Sequence, residues 1–321
     1  MRKMFVVMLV VLSFFLPVLA MSADYPNKPI QLVVPYKPGG GSDVSARIFA
    51  QCLERTSLPE KVIVKNIDGA RGKTGEMEVK RSRPDGYTLL WQHQGLHIAN
   101  VTGRAEYSYK DFTPVALTAV GNAGIFVPKS LGITNAKQLI ERLKSEPNSI
   151  TIGAAINGLS HFGLLSFIDR IDVNDKDLKI VGMSGDKKRI IAMMQGNMQM
   201  SCVAVNAALP YVKSGDLVAI GILGDERDSG MPDVPTMKEL GYDAVAGTDY
   251  FTWAPKGLPD DVLKVLTDAW MKAAADPKCK EKMEVNSVAL TSYEGEKLNN
   301  YLDKGFNMYK RLADKYDMGK K

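Results

Sequence analysis

Histidine and cysteine are scarce in this chain, with three of each among 321 residues. Cys52, Cys202 and Cys279 are far apart and odd in number, and no CxxC pair exists. That spacing excludes a zinc ribbon and a disulfide framework. Single buried thiols are the preferred reading; a disulfide between two of them stays open in an oxidising compartment, and sequence alone cannot pair it. His93 and His97 stand four apart, yet the intervening Gln94-Gly95-Leu96 lacks the glutamate of a zinc-protease helix, and Gly95 weakens the helix. Ser160 precedes His161, but adjacent residues on a helix point in different directions, and no Gly-x-Ser-x-Gly elbow is present. A hydrogen-bonding pocket role suits them better than nucleophile and base. Nucleotide motifs are incomplete too. Val44 occupies the last glycine position of Gly39-x-Gly41-x-x-Gly, and Ile67 the first glycine position ahead of Gly72-Lys73-Thr74. No catalytic set, metal site or cofactor is expected.

Long apolar runs are missing after the first twenty residues, so no later segment reaches the roughly 18 residues of a membrane span. The start itself is distinctive. Arg2 and Lys3 precede the apolar run Met4 to Leu12, Phe14 to Leu16 resume it, and Pro17 ends it before the small residues Ala20, Ser22 and Ala23. This is the layout of a secretory signal peptide over residues 1–23, and no cysteine nearby offers a lipid anchor. The mature protein is expected outside the cytoplasm. Cleavage leaves about 300 residues, enough for two lobes of ordinary domain size. It also lowers the formal charge of +5 by two. Basic residues are spread without the dense clusters of a nucleic-acid footprint, so a nucleic-acid partner is not expected.

What is present is an alternation of apolar runs suited to buried strands with amphipathic stretches of helical period, which argues for an α/β protein with largely parallel sheets. Strands are expected at Ile30–Val34, Lys61–Lys65, Tyr87–Trp91, Ser149–Ala154, Lys179–Met183, Met198–Ala204 and Leu217–Leu223. Helices are expected from Ser42, at Ala136–Lys144, from Phe162, at Lys187–Gln195, at Asp260–Ala275 and at Glu294–Lys315. Phe112–Ala119 and Gly124–Val127 read as extended segments that cross between lobes.

The most informative local feature is the strand–loop–helix at Ile30–Ile48. Gly39, Gly40 and Gly41 let backbone approach a ligand closely, and the helix opening near Ser42 directs free N–H groups and a positive dipole end at the same space. Such a terminus holds a carboxylate without a charged side chain. The same loop also reads as a tight turn capped by Ser42. Tyr250, Phe251 and Trp253 form an aromatic cluster that suits either core packing or a cleft wall.

In order, the chain carries Tyr25-Pro26-x-Lys28-Pro29-Ile30, Val34-Pro35-Tyr36-x-Pro38-Gly39-Gly40-Gly41-Ser42-Asp43, the stretch Asn66 to Gly75, and Pro84-Asp85-Gly86-Tyr87-Thr88-Leu89-Leu90. Asp111-Phe112-Thr113-Pro114, Asn157-Gly158-x-Ser160-His161, Pro232 to Thr236, Ala254-Pro255-x-Gly257 and Ala275-Asp276-Pro277 follow. This ordered set, spread over nearly the whole mature chain, resembles the substrate-binding proteins of tripartite tricarboxylate transporters, also called Bug receptors.

The resemblance implies a bilobal type II periplasmic-binding fold, two mixed-sheet α/β lobes with a ligand cleft between them. Residues 24–124 would form the first part of lobe 1 and 125–225 lobe 2, with 226–321 returning to lobe 1 with the C-terminal helices. It implies a monomeric, non-enzymatic receptor that delivers a small carboxylate to membrane transporter subunits. A sensor for a signalling kinase and, behind it, an enzyme on the same fold are the rival readings. It implies ligand contacts from Tyr36, Lys37, Gly39, Gly40, Gly41, Ser42 and Asp43 in one loop and Asn157, Leu159, Ser160 and His161 in the other, with Asn206 and Tyr250 completing the set. Where relatives have small residues after the Tyr-Thr-Leu-Leu strand, this chain has Trp91-Gln92-His93-Gln94. Lys37 and Leu159 are also atypical, the Asn157 loop is shorter by about one residue, and Gln199 stands where many relatives have Asp. Lys37, Gln92, His93 and Gln94 are therefore expected to meet the variable end of the ligand.

Overall fold

The computed structural model describes residues 25–285 and 288–319. The signal peptide expected at residues 1–23 lies outside that range. Among the described residues no helix is long and apolar enough to cross a membrane.

Strand β1 (Ile30–Val34) pairs in parallel with β2 (Val62–Asn66) and β3 (Thr88–Gln92). Its apolar run is buried on both faces because helices cover the sheet, the arrangement that parallel strands require. Helix α1 (Gly41–Leu53) turns Ala46, Phe49, Ala50 and Leu53 into the core at helical spacing. Helices α2 (Lys73–Arg81) and α3 (Gly95–Val101) follow β2 and β3.

Strand β4 (Phe112–Pro128) is one continuous element where the sequence reads as two extended pieces. The second lobe then repeats the strand–helix alternation. It contains α4 (Ala136–Ser145), β5 (Thr151–Ala154), α5 (Leu159–Ile171), β6 (Lys179–Gly182), α6 (Asp186–Met194), β7 (Met200–Ala204), α7 (Val205–Lys213) and β8 (Leu217–Ile222). β9 (Gly247–Pro255), α8 (Asp260–Ala275), α9 (Pro277–Glu284), β10 (Ala289–Tyr293) and α10 (Gly295–Lys315) complete the chain. Strand β9, which carries the aromatic cluster, and the short helices α2, α3, α7 and α9 were not legible as separate periodic segments.

The strand order β2-β1-β3-β9-β4-β7-β5-β6 shows how the lobes join. The first part of β4, Phe112 to Asn122, is antiparallel to β9, and β10 also pairs with that half. The second part, from Ala123 on, is antiparallel to β7 and β8. One strand thus serves both sheets. At the crossing Gly247 lies opposite Asn122, and a Cβ there would stand 2.6 Å from the carbonyl oxygen of Gly121. Only glycine lets the two crossing strands come this close.

Each lobe has its own core. Trp91, Trp270 and Phe49 are fully buried in the first, and Ile152, Phe167 and Leu139 in the second. A third apolar cluster spans both, joining Ile98 of α3, Phe162 and Leu165 of α5, and Tyr309 and Leu312 of α10. Asp169 of α5 closes this seam, pairing with Arg311 at 2.8 Å and Lys315 at 2.7 Å. Burial raises the Asp169 carboxyl, but the two cations outweigh it and hold the group below the ordinary carboxylate range.

The expectation of three single thiols is corrected. Cys52 at the end of α1 and Cys279 in α9 form a disulfide with Cα atoms 5.5 Å apart, while Cys202 is free and buried. The two sulfurs are 227 residues apart in sequence, so only the packing of α9 on α1 brings them together. Closing so long a loop is worth about 2–5 kcal/mol, chiefly by restricting the unfolded chain. The double substitution Cys52→Ser, Cys279→Ser should lower the thermal midpoint by roughly 5 °C or more in a circular dichroism melt. An unchanged midpoint would show that the cross-link carries none of the stability.

Candidate ligand-binding cleft

In open α/β sheets ligands bind outside the carboxyl ends of the strands. In the first lobe the carboxyl ends of β1, β2 and β3 lead into Pro35-Tyr36, Ile67 and His93. In the second, β5, β6 and β7 lead into Ala155, Met183 and Val205. The two edges meet where Arg71 Nη1 donates to the carbonyl of Ile156 at 3.3 Å, from one lobe to the other.

The glycine loop is held from below by one carboxylate. Asp43 is 3 % exposed; its Oδ2 accepts the N–H of Gly39 at 2.8 Å and its Oδ1 accepts Asn66 Nδ2 at 2.9 Å. Arg47 pairs with the same oxygen at 2.9 Å, and Asn66 also donates to the Tyr36 carbonyl at 3.1 Å. Burial raises the Asp43 carboxyl, but these donors prevail and it is held below the usual 3.8. Asp43 therefore braces the loop. Helix α1 begins at Gly41; the N–H groups of Asp43 and Val44 both bond the Gly40 carbonyl at 3.0 Å, and those of Gly41 and Ser42 have no acceptor within the helix. Nothing in the protein obliges Gly40 and Gly41 to be glycine: a Cβ would meet only Lys37 O at 3.6 Å and Tyr250 Oη at 3.5 Å, ordinary contacts. A Cβ on a helix leans toward the N-terminal end, the direction in which those N–H groups also point. Lys37 is exposed at the loop's outer edge.

The facing loop is built alike. Asn157 adopts a left-handed φ of 56°, and α5 starts at Leu159, three residues earlier than the periodicity indicates. Ser160 Oγ accepts the N–H of Ala155 at 2.9 Å, and His161 Nδ1 accepts the N–H of Asn157 at 3.3 Å. The two side chains thus shape the loop and make no bond to each other. The hydroxyl proton of Ser160 and the Nε2–H of His161 remain to be donated. Burial lowers the His161 pKa to about 4, so the ring is neutral at pH 7. Asn206 is the second residue of α7, with an exposed side chain.

The wall after β3 is more committed than the sequence indicates. Gln92 is fully buried: it accepts from Tyr36 Oη at 2.9 Å and from its neighbour His93 N at 2.9 Å, and donates to Glu76. Gln94 Oε1 accepts the N–H of Asp249 at 3.2 Å. Both glutamines are engaged with protein groups. His93 stacks on Tyr36 with ring centroids 5.0 Å apart. His97 lies in α3, stacked on Tyr109, with Nε2 at 3.0 Å from the Leu302 carbonyl, well away from His93. Phe251 and Trp253 belong to the core, whereas Tyr250, 5 % exposed, stacks on Trp91 and brings its hydroxyl to the first turn of α1. Sequence reading missed Glu76 and Tyr107, because nothing in a linear pattern shows that Glu76 accepts from both Gln92 and Tyr107.

A sequence model described as the tripartite tricarboxylate transporter family receptor, TctC, matches residues 45–318. The chain belongs to that family. Protein BugT of Bordetella pertussis is 31% identical over 252 residues, covering 76% of each chain. A crystal structure of a TctC solute binding protein from Polaromonas superimposes on the receptor with a TM-score of 0.79, at 26% identity over 91% of this chain and 99% of that one. MatC from Rhodopseudomonas palustris, solved with bound malate, shares the fold at 24% identity and a TM-score of 0.73, covering 90% of this chain and 99% of its own. The bilobal periplasmic-binding architecture expected from the sequence is the one observed.

All three histidines of the receptor are neutral in the fold. Burial lowers His93 to about 3 and His97 to about 4, as it does His161. An unfolded chain takes up these protons below the ordinary pKa of 6.5, whereas the folded one does not. Stability is therefore complete above pH 6.5 and falls as pH drops from there toward the folded values. The thermal midpoint should fall by several degrees between pH 7.5 and 5, partly offset by Asp249, whose carboxyl is raised by burial to about 6 and takes up its proton more readily in the folded state, and His97→Phe should flatten that slope. A midpoint level across this window would contradict the neutral assignment.

Proposed function

We propose that the receptor is a non-enzymatic periplasmic protein that closes on a small organic carboxylate and delivers it, as a monomer, to the membrane subunits of a tripartite tricarboxylate-type transporter. Residues 1–23 direct export and are removed. Residues 24–124 and 226–321 form one jaw and 125–225 the other, a division supported by the change of partners along β4 near Asn122.

The observation that carries this reading is the glycine loop. Gly40 and Gly41 are not demanded by backbone conformation or by neighbouring protein atoms, yet they keep clear the space in front of the first turn of α1. A carboxylate seated there accepts backbone N–H bonds in place of water, with the helix dipole adding to the attraction. Ser160 and His161 supply neutral donors from the opposite lobe, so closure surrounds the anion without placing a fixed counter-charge beside it. The malate seen in MatC is a ligand of this class. A receptor reading also suits the chemistry that the loops hold. Ser160 and His161 bond separate backbone groups, so they make no nucleophile–base pair.

A thermal-shift screen of the mature protein against mono-, di- and tricarboxylates and neutral controls tests this directly. A ligand at about 100 times its dissociation constant adds about 2.7 kcal/mol to the folded state, a shift of several degrees. Gly41→Ala gives the sharper test. The unliganded protein should melt at the same temperature or slightly higher, because alanine reduces the freedom of the unfolded chain. Affinity for the acid found in the screen should fall by about tenfold or more, roughly 1.4 kcal/mol. Full affinity in that variant, or no response to any acid, would count against capture at this loop.

A further inference from the structure

The turn between β2 and α2, whose Gly72-Lys73-Thr74 completes no phosphate loop, has an unusual backbone. Gly69, Ala70, Arg71 and Gly72 all have positive φ, at 141°, 47°, 57° and 100°. Ala70 and Arg71 carry a Cβ, so both hold a left-handed conformation that such residues seldom adopt and that persists only where the surroundings impose it. Here they do. The N–H of Gly72 closes the turn on the Gly69 carbonyl at 3.0 Å. A Cβ on Gly75 would stand 2.8 Å from the Ile67 carbonyl, and one on Gly72 would meet Glu76 Oε1 at 3.1 Å and Gln92 Nε2 at 3.3 Å. The turn is therefore seated on the network that ties Gln92 to Tyr36 of the glycine loop.

What this fixed turn presents is the side chain of Arg71. It is exposed, makes no ion pair among the described residues, and donates from Nη1 to the Ile156 carbonyl at 3.3 Å. Ile156 belongs to the other lobe and stands directly before Asn157, in the stretch that Ser160 and His161 hold through the N–H groups of Ala155 and Asn157. A turn seated on one ligand loop thus reaches the backbone of the other. The Asp169 pairs join the lobes about three turns further along α5, whereas Arg71 joins them at the loop itself. A merely solvated surface cation would need no such turn, since an ordinary loop presents one equally well.

We propose that Arg71 is the latch of the closed receptor: bonded to the Ile156 carbonyl, it holds the two ligand loops together over a bound acid and slows its release. This rests on the carboxylate-receptor reading above and adds what retains the ligand. Opening the lobes carries the acceptor away from the donor, so the bond strengthens the closed form alone. It therefore acts on the rate of dissociation and leaves association nearly untouched. Because its acceptor is a backbone carbonyl of the protein, the latch reads closure and not the chemistry of the ligand. Its effect is the same for every acid over which the lobes close.

Rapid mixing of the mature receptor with malate, succinate, adipate and citrate, followed by tryptophan fluorescence, gives both rate constants. Arg71→Met keeps the length of the side chain and the conformation of the turn but removes the donor. It should raise the dissociation rate about fivefold for each acid that binds, with the association rate within about twofold of the unaltered protein. Arg71→Lys, which returns a cationic donor, should recover at least half of the lost retention. Melting of each unliganded variant checks that the fold is intact. An unchanged dissociation rate in Arg71→Met would overturn the latch and leave carboxylate capture standing. So would a loss confined to association and abolished by salt, which would make Arg71 a steering charge at the rim. A change in dissociation for one acid and not the others would overturn it too, by marking a direct contact with that ligand. Binding of none of these acids would overturn the carboxylate reading itself, and the latch with it.

Discussion

The hydrogen-bond ladder along β4 is the constraint on which the rest of this receptor depends. A sheet strand must satisfy its backbone groups on both sides, and β4 does so with β9 and β10 in one half and with β7 and β8 in the other. Because the same seventeen residues serve both sheets, the orientation of one lobe relative to the other is written into a single backbone. The carboxyl edges of β1–β3 and β5–β7 then meet where Arg71 donates to the Ile156 carbonyl. The close approach at Gly121 and Gly247 marks the place where that backbone passes between lobes.

Behind the cleft, buried polar side chains do work that a larger apolar core could not. Buried Asp43 holds the glycine loop through the Gly39 N–H, and is itself held by half-buried Asn66 and exposed Arg47. Gln92, Glu76, Tyr36 and Tyr107 tie the ends of β1 and β3 to α2. Most members of these networks have their bonding capacity filled by protein, which keeps the loops rigid before any ligand arrives. Preorganised donors lose little entropy on binding, so a carboxylate can exchange its hydration for them. The C-terminal helix α10 adds a second tie between lobes through Tyr309, Leu312 and the Asp169 pairs, behind the start of α5.

Most of the fold was legible in the chain before any coordinates. The buried runs at Ile30–Val34 and Met200–Ala204, and the helical periods of α1, α4 and α8, are local signals, set by side-chain spacing over ten or fifteen residues. The glycine loop was legible for the same reason, since a strand, three glycines and a helix start lie within one short stretch. Strand β9 was not, because its aromatic residues pack on both faces and carry no alternation. The disulfide was not, because no rule of spacing relates Cys52 to Cys279.

Sequence by itself determined the family, the alternation of strand and helix, and the backbone elements able to hold an anion, since each is encoded by neighbours along the chain. Only the tertiary structure decided which side chains face that anion's surroundings. Gln92 and Gln94, which as letters looked free to meet a ligand, are bonded within the wall. Arg104, which as a letter looked like any surface cation, has a buried Nε without a hydrogen-bond partner in the protein. The physical reason is that hydrogen-bond partners are allotted by packing between segments dozens of residues apart, and a linear pattern carries no record of that allotment.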